Sequence, residues 1–302
     1  MPSSNQPYFT LNTGATIPAI AFGTYGAADA EIYDAVSAAL SAGYRHIDAA
    51  YFYQNEKPVG RAIRDSKIPR EELFVTTKMW PTQAENPKLA LENSLQALGL
   101  DYVDLYLMHW PVAVCPDPEK EFSWGLGLDA DVDCVQVWSR FQELPKSKAH
   151  AIGVSNFTSL RLEHLLDAPT TSVIPAVNQC EFHPNLPQDR LAQFCKEKGI
   201  ICEAYCPLAR GQLGNPIITG IAHQLGVDPG QVVLSWNVQR GIVVLPKSVT
   251  PSRIKSNLHV VSLTEQQMAD ISGIGKHQWF RISNPAKHLA GLDIFDGDVD
   301  CR

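Results

Sequence analysis

The chain has 302 residues, 45% of them hydrophobic and 19% charged, the make-up of an ordinary globular protein with a sizeable core. Its 32 acidic residues outnumber 25 basic ones for a formal net charge of −7, which argues against the basic stripe of a nucleic-acid groove. No apolar run approaches the ~18 residues of a membrane span, and MPSSNQPYFTLNTG lacks the basic patch and apolar centre of a secretory signal, so a cytoplasmic chain with no membrane partner is expected.

In chain order, TLNTGATIP alternates around Thr13-Gly14 and predicts a short hairpin. Apolar runs follow at AIAFG (19–23), YRHID (44–48), FVTTK (74–78) and VDLYLMH (103–109). Four more lie at AHAIGVS (149–155), IPAVNQ (174–179), IICEAY (200–205) and GIVVLPK (241–247). Helical segments stand between these candidate strands. EIYDAVSAALSAG puts Ile32, Val36 and Leu40 on one face, with Gly43 as its stop. Asn86-Pro87 supplies an N-cap and a Pro at the first helical position, ahead of Leu91, Leu95, Leu98 and a closing Gly99. QDRLAQFCKEKG repeats the pattern with Leu191, Phe194 and Gly199.

No Ser/Gly-rich linker divides the chain, so residues 1–302 are expected to form a single domain. Eight strands alternating with helices over about 250 residues match a closed (β/α)8 barrel, the TIM barrel, in the α/β class. A doubly wound open sheet would place a Gly-x-Gly-x-x-Gly turn after the first strand, and none is there. The hairpin then becomes a plug on the closed end. Residues 111–132, after the fourth strand, form a long loop without period, of the kind that serves as a lid or binding loop. The tail after about Lys276 is similarly irregular but carries Trp279, Phe280 and Phe295, and aromatics are rare in disordered segments. Seven cysteines (Cys115, Cys134, Cys180, Cys195, Cys202, Cys206 and Cys301) include no Cys-x-x-Cys pair, so reduced thiols are expected and neither a disulfide framework nor a metal site.

Nearly every candidate strand ends in a polar or ionisable residue. The series is Gly23-Thr24, Asp48, Lys78, His109, Ser155-Asn156, Gln179, Tyr205 and Lys247-Ser248. In a barrel all strand C-termini open on one face, where such enzymes hold their chemistry. Singly, Asp48 reads as a helix N-cap, His109 as a satisfied interior residue, Tyr53 as packing beside Tyr51 and Phe52, and Lys78 as a solvated strand end. Together they make a coherent acid. A tyrosine, with an ordinary pKa near 10, is a poor proton donor unless its phenolate is stabilised. A nearby ammonium lowers that pKa, a carboxylate orients the ammonium, and a histidine can hold a substrate oxygen in line.

With GYRHIDAAYFYQNEKPVGRAI, FVTTKMW, DLYLMHWP, AIGVSNF, AVNQCEFHP, EAYCPL and LPKSVTPSRIKSN in view, the sequence resembles the aldo-keto reductases along nearly its whole length. The resemblance implies NADPH as cofactor, a small-molecule carbonyl substrate and a catalytic tetrad of Asp48, Tyr53, Lys78 and His109. A hydride would pass from the nicotinamide to the carbonyl carbon while Tyr53 protonates the oxygen. Lys78, paired with Asp48, would lower the Tyr53 pKa, and His109 would position the carbonyl. Ser155, Asn156 and Gln179 match the family's carboxamide contacts and Tyr205 its stacking ring. Gly23, Thr24, Tyr25 and Asp48 fall near the cofactor ribose, and Leu208 along the pyrophosphate. Lys247, Ser248, Val249, Arg253 and Asn257 fall at the adenosine end, where Lys247 and Arg253 match a clamp on the 2′-phosphate. Thr250-Pro251 at a predicted helix start would add an anion site.

The chain departs from the family pattern in places. Cys206 stands where Ser is common, Arg210 where a small residue is, and Ser256 where Glu or Gln is; KMWPT replaces a KLWN-type stretch. The substrate pocket implied by resemblance holds Tyr25, Tyr53, Trp80, His109 and Trp110; the 111–132 loop and the C-terminal tail complete it, with Phe122, Trp124, Trp279 and Phe280 as their aromatic candidates. Aromatic walls suit hydrophobic aldehydes, and the acidic bias of residues 117–133 counts against anionic substrates. Aldehyde reduction is the first expectation, and NADP-linked glycerol or polyol oxidation or pentose reduction the alternative. A protein that binds NADPH with little catalysis is an alternative of another class. Family members include monomers and dimers, and the sequence leaves a monomer or weak dimer open.

Overall fold

A computed structural model describes residues 6–289 and 291–295. Cys301 and the rest of the chain end lie outside the described residues. The predicted hairpin forms from β1 (Tyr8–Thr10) and β2 (Thr16–Pro18), paired antiparallel. Eight parallel strands follow: β3 (Phe22–Gly23), β4 (His46–Asp48), β5 (Phe74–Met79), β6 (Val103–Met108), β7 (Ala149–Ser155), β8 (Val177–Glu181), β9 (Ile201–Tyr205) and β10 (Val243–Val244). Each strand pairs with its neighbours in sequence. The first and last then meet: Val244 N–H donates to Ala19 O at 2.9 Å and Ala21 N–H to Val244 O at 2.8 Å, which closes the sheet into the expected barrel.

Parallel strands buried on both faces need residues that tolerate two different surroundings. In β6, Leu105 and Leu107 join the interior cluster, whereas Tyr106 and Met108 pack outward against the helices. Leu11 and Ile17 of the hairpin complete the interior cluster beside Phe74, Ala151 and Val177. That contact makes the hairpin a stopper at the strands' N-terminal end. The open end is left to the strand C-termini.

The outer ring begins with α1 (Asp29–Ala42), which buries Ile32, Val36 and Leu40 and ends on left-handed Gly43, as predicted. Next comes α2 (Glu56–Asp65), then α3 (Pro87–Leu98), whose Asn86 cap accepts from Leu89 N–H. A Cβ on Gly60 would lie 1.8 Å from Leu98 O, so only glycine lets α2 approach α3 this closely. Next in order are α4 (Cys134–Gln142), α5 (Ser159–Asp167) and α6 (Asp189–Glu197). In α6 Leu191 and Cys195 are the buried pair and Phe194 is only partly buried, because the 3.6-residue period turns Cys195 under the helix. Two helices, α7 (Pro216–Leu225) and α8 (Pro229–Gln239), share the connection between β9 and β10. After β10 come α9 (Pro251–Asn257) and α10 (Glu265–Ser272). Among the described residues no helix is long and apolar enough to cross a membrane.

Candidate active site

A cavity of about 720 Å³ opens at the C-terminal ends of the strands. Strand-end residues such as Asp48, Gln179 and Tyr205 line it, together with the connections that follow them. Asp48 ends β4, and the next turn, Tyr51–Tyr53, closes on left-handed Gln54 and brings Tyr53 back over the barrel mouth. Asn55 Nδ2 ties that turn to the β3 side by donating to Thr24 O at 2.8 Å. On β5 the two-residue period sends Thr76 and Lys78 inward, while Thr77 Oγ1 reaches outward to Glu56 at 2.6 Å.

Lys78 is fully buried, and its ammonium has four oxygen neighbours. Nζ lies 2.8 Å from each Asp48 carboxylate oxygen, 2.8 Å from Ala49 O and 3.2 Å from Tyr53 Oη. An ammonium only donates, so the Tyr53 oxygen accepts from it and the phenolic O–H is left free for the cavity. His109 lies beside Tyr53, with ring centroids 5.9 Å apart, and beside Trp80 at 5.1 Å. Burial, then the Lys78 charge, hold the His109 imidazole well below its ordinary pKa, so it is neutral.

Tyr53 departs from the sequence expectation. Burial and the Asp48 charge push its pKa well above the usual phenol value, where a lowered one was expected. The Asp48 carboxylate, in contact with Lys78 on both oxygens, offsets the ammonium charge that would have lowered it. Tyr53 is therefore a neutral phenol that carries its proton throughout the physiological range.

The remaining expected residues divide into two groups. Gly23, Thr24, Tyr25, Asn156, Gln179, Tyr205, Cys206, Leu208, Arg210, Lys247, Trp80 and Trp110 all line the cavity. Ser155 lies just beneath it, donating through Oγ to Gln179 O at 2.7 Å. Tyr205 O–H donates to Asn156 Oδ1 at 2.7 Å, which fixes the edge of its ring. Lys247 Nζ reaches Gly26 O at 3.4 Å across the mouth. Ser248, Val249, Arg253 and Asn257, by contrast, are absent from the lining. Arg253 is exposed on α9, Val249 is exposed, and Asn257 is buried toward Gly230.

Of the four further aromatic candidates only Trp124 reaches the cavity. It packs edge-on to Trp80 at 4.8 Å and Trp110 at 5.3 Å. Phe122 packs on Tyr51 at 5.0 Å, Phe280 lies against His183 at 5.0 Å, and Trp279 faces solvent. The tail does help wall the cavity, but through six residues between Ile282 and His288 that the sequence reading did not name, in place of its aromatics. Sequence reading also missed the buried acids Glu181 and Glu203. Each stands two residues from a named site residue (Gln179, Tyr205) on a strand of period two, and that spacing was a readable signal.

The model of the Aldo/keto reductase family matches residues 19–276. The chain belongs to the aldo-keto reductase family. It is 49% identical over 283 residues to an aldehyde reductase of Saccharomyces cerevisiae, covering 88% of this chain and 90% of that protein. A glycerol 2-dehydrogenase (NADP(+)) of the same yeast is 48% identical over 284 residues, with 89% and 91% covered. Among solved structures, an aldo-keto reductase of the silkworm Bombyx mori complexed with NADPH superposes with a TM-score of 0.84 at 34% identity, covering 98% of this chain and 93% of that one.

The wall of this aldo-keto reductase fits such a cofactor. Gln179 presents an amide, Tyr205 an aromatic ring, and Lys247 and Arg210 present cations that pair with no carboxylate among the described residues. Cys206, Ala209 and Arg210 take left-handed φ values of 49°, 45° and 52°. That costly backbone turns the loop after β9 along the cavity edge.

Proposed function

We propose that this aldo-keto reductase reduces an aldehyde to an alcohol with NADPH, and that Tyr53 supplies the proton. The observation that carries the reading is the Lys78 ammonium, which donates at once to Asp48 and to Tyr53 on the cavity wall. Gln179, Asn156 and Tyr205 would hold the nicotinamide, and Lys247 the phosphate end. When bound, NADPH supplies the hydride that the carbonyl carbon accepts.

Tyr53 points its free O–H at the carbonyl oxygen, and the Lys78 hydrogen bond strengthens as the phenol gives up its proton. Neutral His109 can donate a second hydrogen bond to the same oxygen without competing as a proton donor. Trp80, Trp110 and Trp124 exclude water from the other side and favour an apolar substituent on the aldehyde. The alcohol-oxidising reading, suggested by the yeast glycerol 2-dehydrogenase, uses the same groups in reverse. A cytoplasmic setting suits the free thiols at Cys115, Cys134, Cys180, Cys195, Cys202 and Cys206.

The test is NADPH oxidation with an aromatic aldehyde, glyceraldehyde, xylose, glucuronate and a simple ketone, run beside Tyr53→Phe. Loss of the general acid is expected to lower kcat by about 10²–10⁴-fold while NADPH still binds. Unchanged turnover in Tyr53→Phe would remove Tyr53 from the mechanism. Binding without turnover across the panel would favour a cofactor-binding protein with little catalysis.

A further inference from the structure

Beneath the catalytic group lies a second acid that the reaction as described does not use. Glu203 on β9 is fully buried in the barrel. Its register partner on β8 is Gln179, and Gln179 Nε2 donates to Glu203 Oε2 at 2.7 Å. The same nitrogen donates to Asp48 Oδ1 at 3.0 Å. Two acid oxygens therefore hold both protons of one amide. The Gln179 oxygen, which accepts from no group among the described residues, is turned away from them.

We propose that Glu203 is a positioning residue for the reaction: with Asp48 it clamps the Gln179 amide nitrogen and fixes the Gln179 oxygen as the acceptor for the nicotinamide carboxamide. The inference rests on the reading that NADPH binds across Gln179. One partner alone would leave the amide free to tilt about its single remaining hydrogen bond. Two partners on different strands, β4 and β9, fix its plane.

Glu203 also links the clamp to proton balance. The ionisable groups facing it are His46 and Asp48 from β4 and Lys78 from β5, with Tyr53 above them; β8 presents Gln179, and β10 presents Val243 opposite. His46 Nδ1 lies 3.3 Å from Pro18 O, an oxygen that only accepts, so the proton sits on Nδ1 and Nε2 accepts from Thr76 Oγ1 at 3.0 Å. That neutral ring places no cation beside Glu203 Oε1, which lies 3.9 Å from Nε2 and has no hydrogen-bond partner among the described residues. Burial, then Asp48, push the Glu203 carboxyl up to about 8. Above that pH its charge adds to that of Asp48 and makes Tyr53 a weaker acid.

The experiment measures NADPH affinity by fluorescence titration, and kcat and KM from about pH 6 to about pH 10, in wild type, Glu203→Gln and Glu203→Leu. Glu203→Leu keeps the volume and removes the acceptor, so NADPH affinity is expected to fall about tenfold. Glu203→Gln keeps an acceptor and cannot ionise. It should restore affinity to within about twofold of wild type and abolish the fall in reductive kcat centred near pH 8. Wild-type NADPH affinity in Glu203→Leu, or an alkaline limb unchanged in Glu203→Gln, would overturn the proposal. If Glu203→Leu does not fold, Glu203→Ala, which also lacks the acceptor, takes its place in the affinity measurement. Failure of wild type itself to bind NADPH would instead overturn the cofactor reading beneath it.

Discussion

Lys247 follows β10, the last strand of the barrel, and its Nζ spans the mouth to Gly26 O at 3.4 Å. A contact this long to a single carbonyl leaves the ammonium free to exchange it for a phosphate. Arg253, its expected companion, lies one helix away on α9 and outside the cavity lining. The two cations therefore should not contribute equally. Lys247→Met is expected to raise the KM for NADPH about tenfold and to leave that for NADH almost unchanged. Arg253→Ala should have a smaller effect on the same ratio. Parallel steady-state titrations with both cofactors check this, and equal losses for NADPH and NADH would remove the phosphate contact from Lys247.

The tail is an element without regular structure that nonetheless has an anchor. Glu181, fully buried at the end of β8, accepts from Ile282 N–H and Ser283 N–H, each at 2.7 Å, and pairs with His183 Nε2 at 2.8 Å. Further along, Arg161 Nε holds Ile294 O at 2.9 Å, and His288 stacks on Trp124. A carboxylate with two backbone donors fixes the direction in which the tail crosses the cavity. Glu181→Ala is expected to raise the KM for bulky aldehydes several-fold, by loss of hydrogen bonds worth about 1 kcal/mol each. NADPH affinity should change much less, since the tail walls the side shared with Trp110 and Trp124. Limited proteolysis after residue 276 provides the second readout. An unchanged aldehyde KM with no new cleavage would show that the tail holds itself.

At the scale of the whole molecule, buried ionisable groups make the barrel's stability depend on pH. The His46 imidazole, held down to about 3 chiefly by burial, stays neutral in the fold. An unfolded histidine takes up a proton near pH 6.5, so stability falls as pH drops from about 6.5 to about 3. Glu203, raised to about 8, keeps its proton in the fold, whereas an unfolded glutamate loses it near pH 4.3. Its effect is to lower stability as pH rises from about 4.3 to about 8. Where the two windows overlap, between about pH 4.3 and 6.5, the slopes oppose each other and nearly cancel. Glu56, raised by burial, and His109, lowered by it, act in the same two directions. Thermal denaturation is therefore expected to give a plateau around pH 5–6, with lower midpoints on both sides. In Glu203→Gln the alkaline decline should shrink and the acid side should remain. A midpoint that rises steadily toward pH 8 in wild type would refute the raised Glu203, and one that holds level below about pH 5 would refute the neutral His46.

By itself the sequence determined the barrel and most of the strand-end side chains that meet at its mouth. Strand period, helix caps such as Asn86 and stops such as Gly43 and Gly99 are local consequences of backbone geometry, so eight strands and the hairpin were readable without neighbours. Long-range packing decided the rest. That the phenol of Tyr53 is held up rather than down depends first on how deeply the closed barrel buries it and then on how near Asp48 lies, neither of which a motif contains. That Trp124 faces the cavity while Phe122 and Trp279 do not depends on where an aperiodic loop and tail come to rest. Arg253 and Asn257 match a motif, yet on α9 they stand outside the cavity lining. Charges, aromatic faces and loop ends act through space, and separations in space between residues far apart in the chain are set only when the barrel closes.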